Sequence, residues 1–216
     1  MGYPQQNQKS NDSDNAATAT PRLRIFLSYG HDENKMLVDC IRADLKARGH
    51  DVWIDEIEIK VKNEWRRKII EGIEESQAVL GFLSKHSMRE DKDGVGVCRD
   101  ELKIALGVKG GCVQTVLVED EREINNAIGK IPPNIGRIQR TDMHDWKNQC
   151  VVDGRVVRNE WYQARLAEII QVVESDESRR FAEEIEELRL HLDPMWSDAY
   201  VKELLEKSFF RARMAL

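Results

Sequence analysis

A chain of 216 residues with 41% hydrophobic content can build one full core and an appendage. Its formal net charge of −6 gives no basic surface for a polyanion, so nucleic acid is excluded as an expected partner. Four cysteines (Cys40, Cys98, Cys112, Cys150) form no CxxC pair and have no histidine at ligand spacing, and no apolar run approaches a membrane span, so neither metal nor membrane is expected and a reducing cytoplasm is.

Residues 1–21 are Gln, Asn, Ser, Asp, Ala and Thr with almost nothing to bury, and read as a disordered leader. "LRIFLSYG" (23–30) is a short apolar run closed by glycine, the pattern of a strand buried on both faces. Over 33–48, Leu37, Ile41 and Leu45 recur at four-residue steps beside Met36 and Cys40, and Gly49 stops the helix. "DVWID" (51–55) is a second strand, and the loop "EIEIKVKN" leads to a helix bearing Trp65, Ile69, Ile70 and Ile73. "AVLGFLS" (78–84) is a third strand. The loop over 85–97 then opens a helix, "VCRDELKIAL", with Asp100 and Glu101 read as sharing its exposed first turn. "VQTVLVE" (113–119) is a fourth strand, followed by a short helix around 124–128 and a fifth, edge strand over 135–141. "VVDGRVV" carries the Asp-Gly signal of a tight hairpin, and a helix over 160–173 turns Tyr162, Leu166, Ile169, Ile170 and Val173 inward. Past Glu174 a charged helix with Phe181, Ile185, Leu188 and Leu192 is broken at Pro194, and a further one carries Tyr200, Val201, Leu204, Leu205 and Phe209. These one-sided stripes read as a helical extension over 175–216, and the ending "FFRARMAL", without a polar tail, reads as continuing into a downstream domain.

Apolar strands alternating with amphipathic helices predict an α/β fold, a parallel sheet with helices on both faces. Ligands of such sheets bind beyond the carboxyl ends of the strands. "SYGHDEN", "IDEIEIKVKNEW" and the loop before Glu101 all arrive there.

"RIFLSYG", "GHDVWID", "W" at 65 with "I" at 69 and "GIEESQAVLGFLS", then "CRDELKIAL", together resemble a TIR (Toll/interleukin-1 receptor) domain of the bacterial type, over roughly 22–174. The resemblance implies a flavodoxin-like sheet of order 2-1-3-4-5. It also implies that the loop after the second strand mediates homotypic self-association, here through Ile57, Ile59 and Val61 interleaved with Glu56, Glu58, Lys60 and Lys62.

Enzymatic TIR domains cleave the nicotinamide–ribose bond of NAD+ with a glutamate in the helix after the third strand, typically as Trp-Cys-x-x-Glu-Leu. The matching run is Val97-Cys98-Arg99-Asp100-Glu101-Leu102, which makes Glu101 the expected catalytic residue and departs from the pattern at Val97. Cys98 joins the expected substrate-binding set. Gly30 and His31 stand where some relatives carry arginines near the dinucleotide. Asp55 matches a site aspartate, with capping of the loop as the plainer alternative. Trp65 matches an aromatic beside the ribose, though its spacing from Ile69 equally fits a core role.

The implied function is an NAD+ glycohydrolase with NAD+ as substrate and no cofactor, yielding nicotinamide and ADP-ribose or a cyclic form. In bacteria such domains resemble effectors of antiviral defence, fused to a sensor or ATPase in the same chain. The alternative is a non-catalytic TIR scaffold for protein–protein signalling.

Overall fold

The computed structural model describes residues 22–54, 62–90, 97–109, 112–176 and 178, with the backbone alone described for 62–67 and 108–109. Its centre is a parallel sheet of five strands in the order β2-β1-β3-β4-β5. The strands are β1 (Arg24–Ser28), β2 (Asp51–Ile54), β3 (Ala78–Leu83), β4 (Val113–Leu117) and β5 (Arg140–Asp142). β3 and β4 are buried along their whole length, whereas β2 and β5 at the edges alternate with partly or fully exposed positions. This is why β3 reads as an unbroken apolar run and β4 departs from one only at Gln114 and Thr115.

Alternation along each strand sends side chains to two cores. On one face Ile25, Leu27, Leu80, Phe82 and Val116 pack under α1 (Lys35–Ala47) and α7 (Glu160–Val173), which contribute Leu37, Ile41, Leu45, Tyr162, Leu166 and Ile169. On the other, Phe26, Val79, Leu83, Val113 and Leu117 pack under α2 (Lys62–Glu75), α3 (Val97–Lys109) and α4 (Glu121–Ile128) through Ile69, Ile73, Leu102, Ala105 and Ile124. Gly81 of β3 lets α3 sit close: a Cβ there would lie 2.4 Å from a methyl carbon of Leu102. That contact sets the height of α3 over the sheet.

The last strand corrects the sequence expectation. Pro133–Gly136 is a helical turn, α5, and Ile135 is buried in it, so β5 begins only at Arg140. Proline has no N–H for a ladder and suits the first turn of a helix, and Pro132-Pro133 therefore starts a turn instead of a strand. The first helix likewise begins at Lys35, two residues later than read, because the loop before it folds around Asp32 and Asn34.

After α6 (Trp146–Cys150), the hairpin of β6 (Val151–Val152) and β7 (Arg155–Val156) forms as read, with Asp153 and Gly154 at φ 50° and 70°.

A clamp fastens the end of α7 to the amino-terminal edge of the sheet. Arg48 donates to both oxygens of Glu174 at 2.9 and 3.2 Å. His50 Nδ1 accepts the Leu23 backbone N–H at 3.4 Å, so its Nε2 carries the hydrogen and donates to Glu174 at 3.1 Å. Burial works to raise the Glu174 carboxyl, but the hydrogen bonds from Arg48 and His50 outweigh it and hold it below its ordinary value.

Candidate active site

The chain crosses from β1 to β2 on one side and returns to β3 on the other, so the sheet's switch point lies between the carboxyl ends of β1 and β3. Ser28 is the last residue of β1, paired in register with Gly81, and only 2% exposed. Facing it is the first part of α3, whose inner positions Cys98, Glu101, Leu102 and Ala105 follow the helical period.

Two hydrogen bonds stitch β1 to α3. The Ser28 hydroxyl donates to Glu101 Oε2, and the Cys98 thiol donates to the Tyr29 carbonyl oxygen at 3.2 Å. Cys98 and Glu101 are three residues apart on one helix face, and Ser28 and Tyr29 are neighbours in the chain, so the two contacts form successive rungs.

Glu101 is therefore a buried residue, 5% exposed, contrary to the exposed position expected from sequence. It is the fifth residue of α3, beyond the first turn; the acidic residue in that turn is Asp100, which is partly exposed and accepts from Lys103 at 3.2 Å. Residues 100 and 101 thus separate by the helical step of about 100° into a surface carboxylate and a buried one. Burial pushes the Cys98 thiol well above its ordinary range, and the charge of Glu101 pushes it further, against the opposing effect of the Ser28 hydroxyl. Cys98 is accordingly a neutral donor and not a nucleophile.

The loop after β1 is held to the turn after β3. Asp32 accepts the Ser84 hydroxyl at 2.5 Å and the Asn34 backbone N–H at 2.9 Å. Ser84 and Ser87 exchange backbone-to-hydroxyl bonds at 2.9 and 3.0 Å. Gly30 is where the two segments touch: a Cβ would lie 2.7 Å from the Ser87 nitrogen, so the close approach that requires glycine is made by the protein's own backbone. His31 is exposed at φ 52°, its ring 4.4 Å from that of Tyr29. Lys85 and Arg89 are exposed on the neighbouring turn, and burial, aided by Arg89, lowers His86.

A second buried carboxylate closes the β4 side. Glu119, 8% exposed, accepts the Lys85 backbone N–H at 2.9 Å and the Asn34 amide at 3.4 Å. Asn34 in turn accepts the indole N–H of Trp146 at 3.1 Å.

Of the residues read from sequence, the fold brings Gly30, His31, Cys98 and Glu101 to one edge. Asp55, Ile57, Ile59 and Val61 lie outside the described residues, and of Trp65 only the place on α2 is described. Val97, at the position of the usual tryptophan, is 37% exposed. Among the described residues no group of three or more His, Cys, Asp or Glu is placed to hold a metal ion. No described helix is long and apolar enough to cross a membrane. Sequence reading missed Ser28, Asp32 and Asn34. The available signal for Ser28 was a hydroxyl ending an otherwise hydrocarbon run, "RIFLS".

The sheet order, with helices on both faces and a carboxylate beside the β1–β3 switch point, defines a flavodoxin-like α/β domain. Residues 25–157 match the TIR domain family, and the chain belongs to it. Over 74 residues it is 27% identical to the protein described as NAD(+) hydrolase PdTIR of Paracoccus denitrificans (strain Pd 1222), a stretch covering 34% of this chain and 25% of that protein. The match thus spans about a quarter of that relative's length. Among solved structures the chain is similar to the TIR domains of the activated Roq1 resistosome directly recognizing the pathogen effector XopQ, at 18% identity and a TM-score of 0.38, covering 77% of this chain and 99% of the other.

Proposed function

We propose that this TIR domain is an NAD+ glycohydrolase in which Glu101 is the catalytic carboxylate. The observation that carries the reading is a glutamate buried at the switch-point edge of a parallel sheet, met there by the Ser28 hydroxyl. The match to a relative described as an NAD(+) hydrolase supports it.

The chemistry asks for little more than one well-placed negative charge. Glycosidic bonds between sugars usually need two carboxylates, because the leaving oxygen must be protonated. Nicotinamide leaves from a ring nitrogen that already carries positive charge, so its departure as a neutral molecule needs no general acid. As the bond breaks, positive charge develops on the ribose, and a carboxylate fixed beneath it stabilises that charge more than it stabilises the ground state. Its oxygens also accept hydrogen bonds from ribose hydroxyls. The oxocarbenium-like species is then captured by water, giving ADP-ribose, or by the substrate's own adenine, giving a cyclic product. Gly30, His31, Asp55, Trp65 and Cys98 are assigned to the substrate-binding surroundings of this carboxylate.

The domain is assigned to 22–174, with 175–216 as a helical extension. The active form is a homotypic assembly in which a neighbouring copy, docked through Ile57, Ile59 and Val61, completes the pocket. Depletion of NAD+ in antiviral defence is the setting this activity fits. Nicotinamide release per molecule is expected to rise steeply between dilute and concentrated or crowded protein, and Ile59→Asp is expected to suppress that rise. Flat specific activity across the same range would remove the assembly requirement. Chromatography of the products distinguishes ADP-ribose from the cyclic form.

Val97 favours a second reading, the non-catalytic scaffold, since a valine offers no ring to pack on the ribose. Absence of nicotinamide from concentrated wild-type protein, with TIR–TIR association intact, would establish that reading instead.

A further inference from the structure

The reaction proposed above needs the Glu101 carboxylate held in one place. A glutamate side chain rotates about several bonds, and each misplaced rotamer moves the charge away from the reacting carbon. Ser28 meets this need. Its neighbours Ile25, Phe26 and Leu27 are all hydrocarbon, and the hydroxyl is buried at the end of that run, where an unpartnered polar group would be costly. Its partner, Glu101 Oε2, lies 73 residues further along the chain, so only the assembled sheet and helix bring the two together. The adjacent rung, from the Cys98 thiol to the Tyr29 carbonyl, joins α3 to the chain just beyond β1.

We infer that Ser28 is the positioning residue of the candidate active site, its hydroxyl fixing one carboxylate oxygen of Glu101 at the β1–β3 edge. This rests on the glycohydrolase reading. The serine hydroxyl supplies a single proton, and donating it to Oε2 holds that oxygen at the end of β1. Ser28 itself makes no bond to the reacting atoms.

The test compares the full chain at high concentration as wild type, Ser28→Ala, Ser28→Thr and Glu101→Gln, the last with and without Ser28→Ala. Ser28→Ala is expected to lower kcat for nicotinamide release about 10- to 100-fold, the range of a hydrogen bond to a charged group, with KM within about threefold. Ser28→Thr keeps the hydroxyl and is expected to stay within about fivefold of wild type. Adding Ser28→Ala to Glu101→Gln is expected to change the residual rate by less than about twofold, because the group being positioned is already gone. Wild-type kcat in a folded Ser28→Ala overturns the inference, as does a loss confined to KM, or equal losses in the Ala and Thr variants. Thermal melts report folding. Where Ser28→Ala does not fold, Ser28→Cys, a weaker donor of similar shape, carries the same comparison with an intermediate kcat expected. A wild-type chain that releases no nicotinamide overturns the glycohydrolase reading itself, and so differs from an active wild type with an indifferent Ser28→Ala.

Discussion

Glu101 and Glu119 are both buried carboxylates at the carboxyl edge of one sheet, 5% and 8% exposed, yet they are held differently. Glu119 accepts from a backbone amide and from the side chain of Asn34, and through Asn34 it reaches Trp146. Its two donors come from the turn after β3 and the loop after β1, and Trp146 of α6 joins through Asn34, so Glu119 is a cross-brace among three segments. Glu101 is met by a serine hydroxyl at the switch point, on the helix that the glycohydrolase proposal makes catalytic. Burial alone does not separate a brace from a reactive group. Under the proposed function, position relative to the crevice and the kind of donor do.

The sharpest way to break this contrast is Glu101→Gln. Nicotinamide release is expected to fall about 1,000-fold, the scale of losing a charge aimed at the transition state. The amide keeps an acceptor for Ser28, so the melting temperature should move only by about 4 °C or less. Wild-type turnover by this variant would leave Glu101 a brace like Glu119.

Glu119→Ala should show the reverse signature. It strands the Lys85 N–H and the Asn34 amide, and a stability loss of about 1–3 kcal/mol is expected by denaturant titration. Specific activity of the folded fraction should change little. A selective loss of turnover without loss of stability would move Glu119 into the catalytic set.

Glu174 extends the comparison to the opposite edge. Its folded carboxyl lies below the ordinary value of 4.5, so its contribution to stability is complete above that pH and is lost as pH falls through the lower folded value. Stability measured from pH 6 downward should therefore decline more steeply in wild type than in Glu174→Gln, with the two curves converging at acid pH. Parallel curves would show that the clamp contributes nothing measurable. Asp100→Asn should have the smallest effect, less than about 0.5 kcal/mol, because its pair with Lys103 is solvent-exposed. Activity should change less than about twofold.

The three inner strands β1, β3 and β4 were legible because they are buried along nearly their whole length, with Gln114 and Thr115 the polar residues inside β4. β5 was legible as a fifth, edge strand but not in its bounds, since three residues following Pro132-Pro133 and a helical turn leave no periodic signal. Glu101 was singled out by its family pattern and its place at the sheet edge was legible, but its depth was misjudged: placing it in the first turn depended on one residue of helix phase. Ser28, Asp32 and Asn34 escaped because their partners are distant in sequence, 73 residues for Ser28 and 85 between Asn34 and Glu119. No local pattern encodes such pairings. The correspondence at Asp55 and Trp65 rests on sequence alone.

The clamp at Glu174 also gives the domain a mechanical polarity. His50 grips the backbone at Leu23, immediately before β1, and Ser28 at the far end of β1 grips Glu101. A strand of five residues, about 17 Å long, spans the distance between the two grips. β1 is bonded on both sides, to β2 and to β3, and a strand so held transmits a pull along its axis with little stretch. Tension applied where the chain leaves α7 therefore enters the sheet at the root of the same rod whose tip orients the carboxylate.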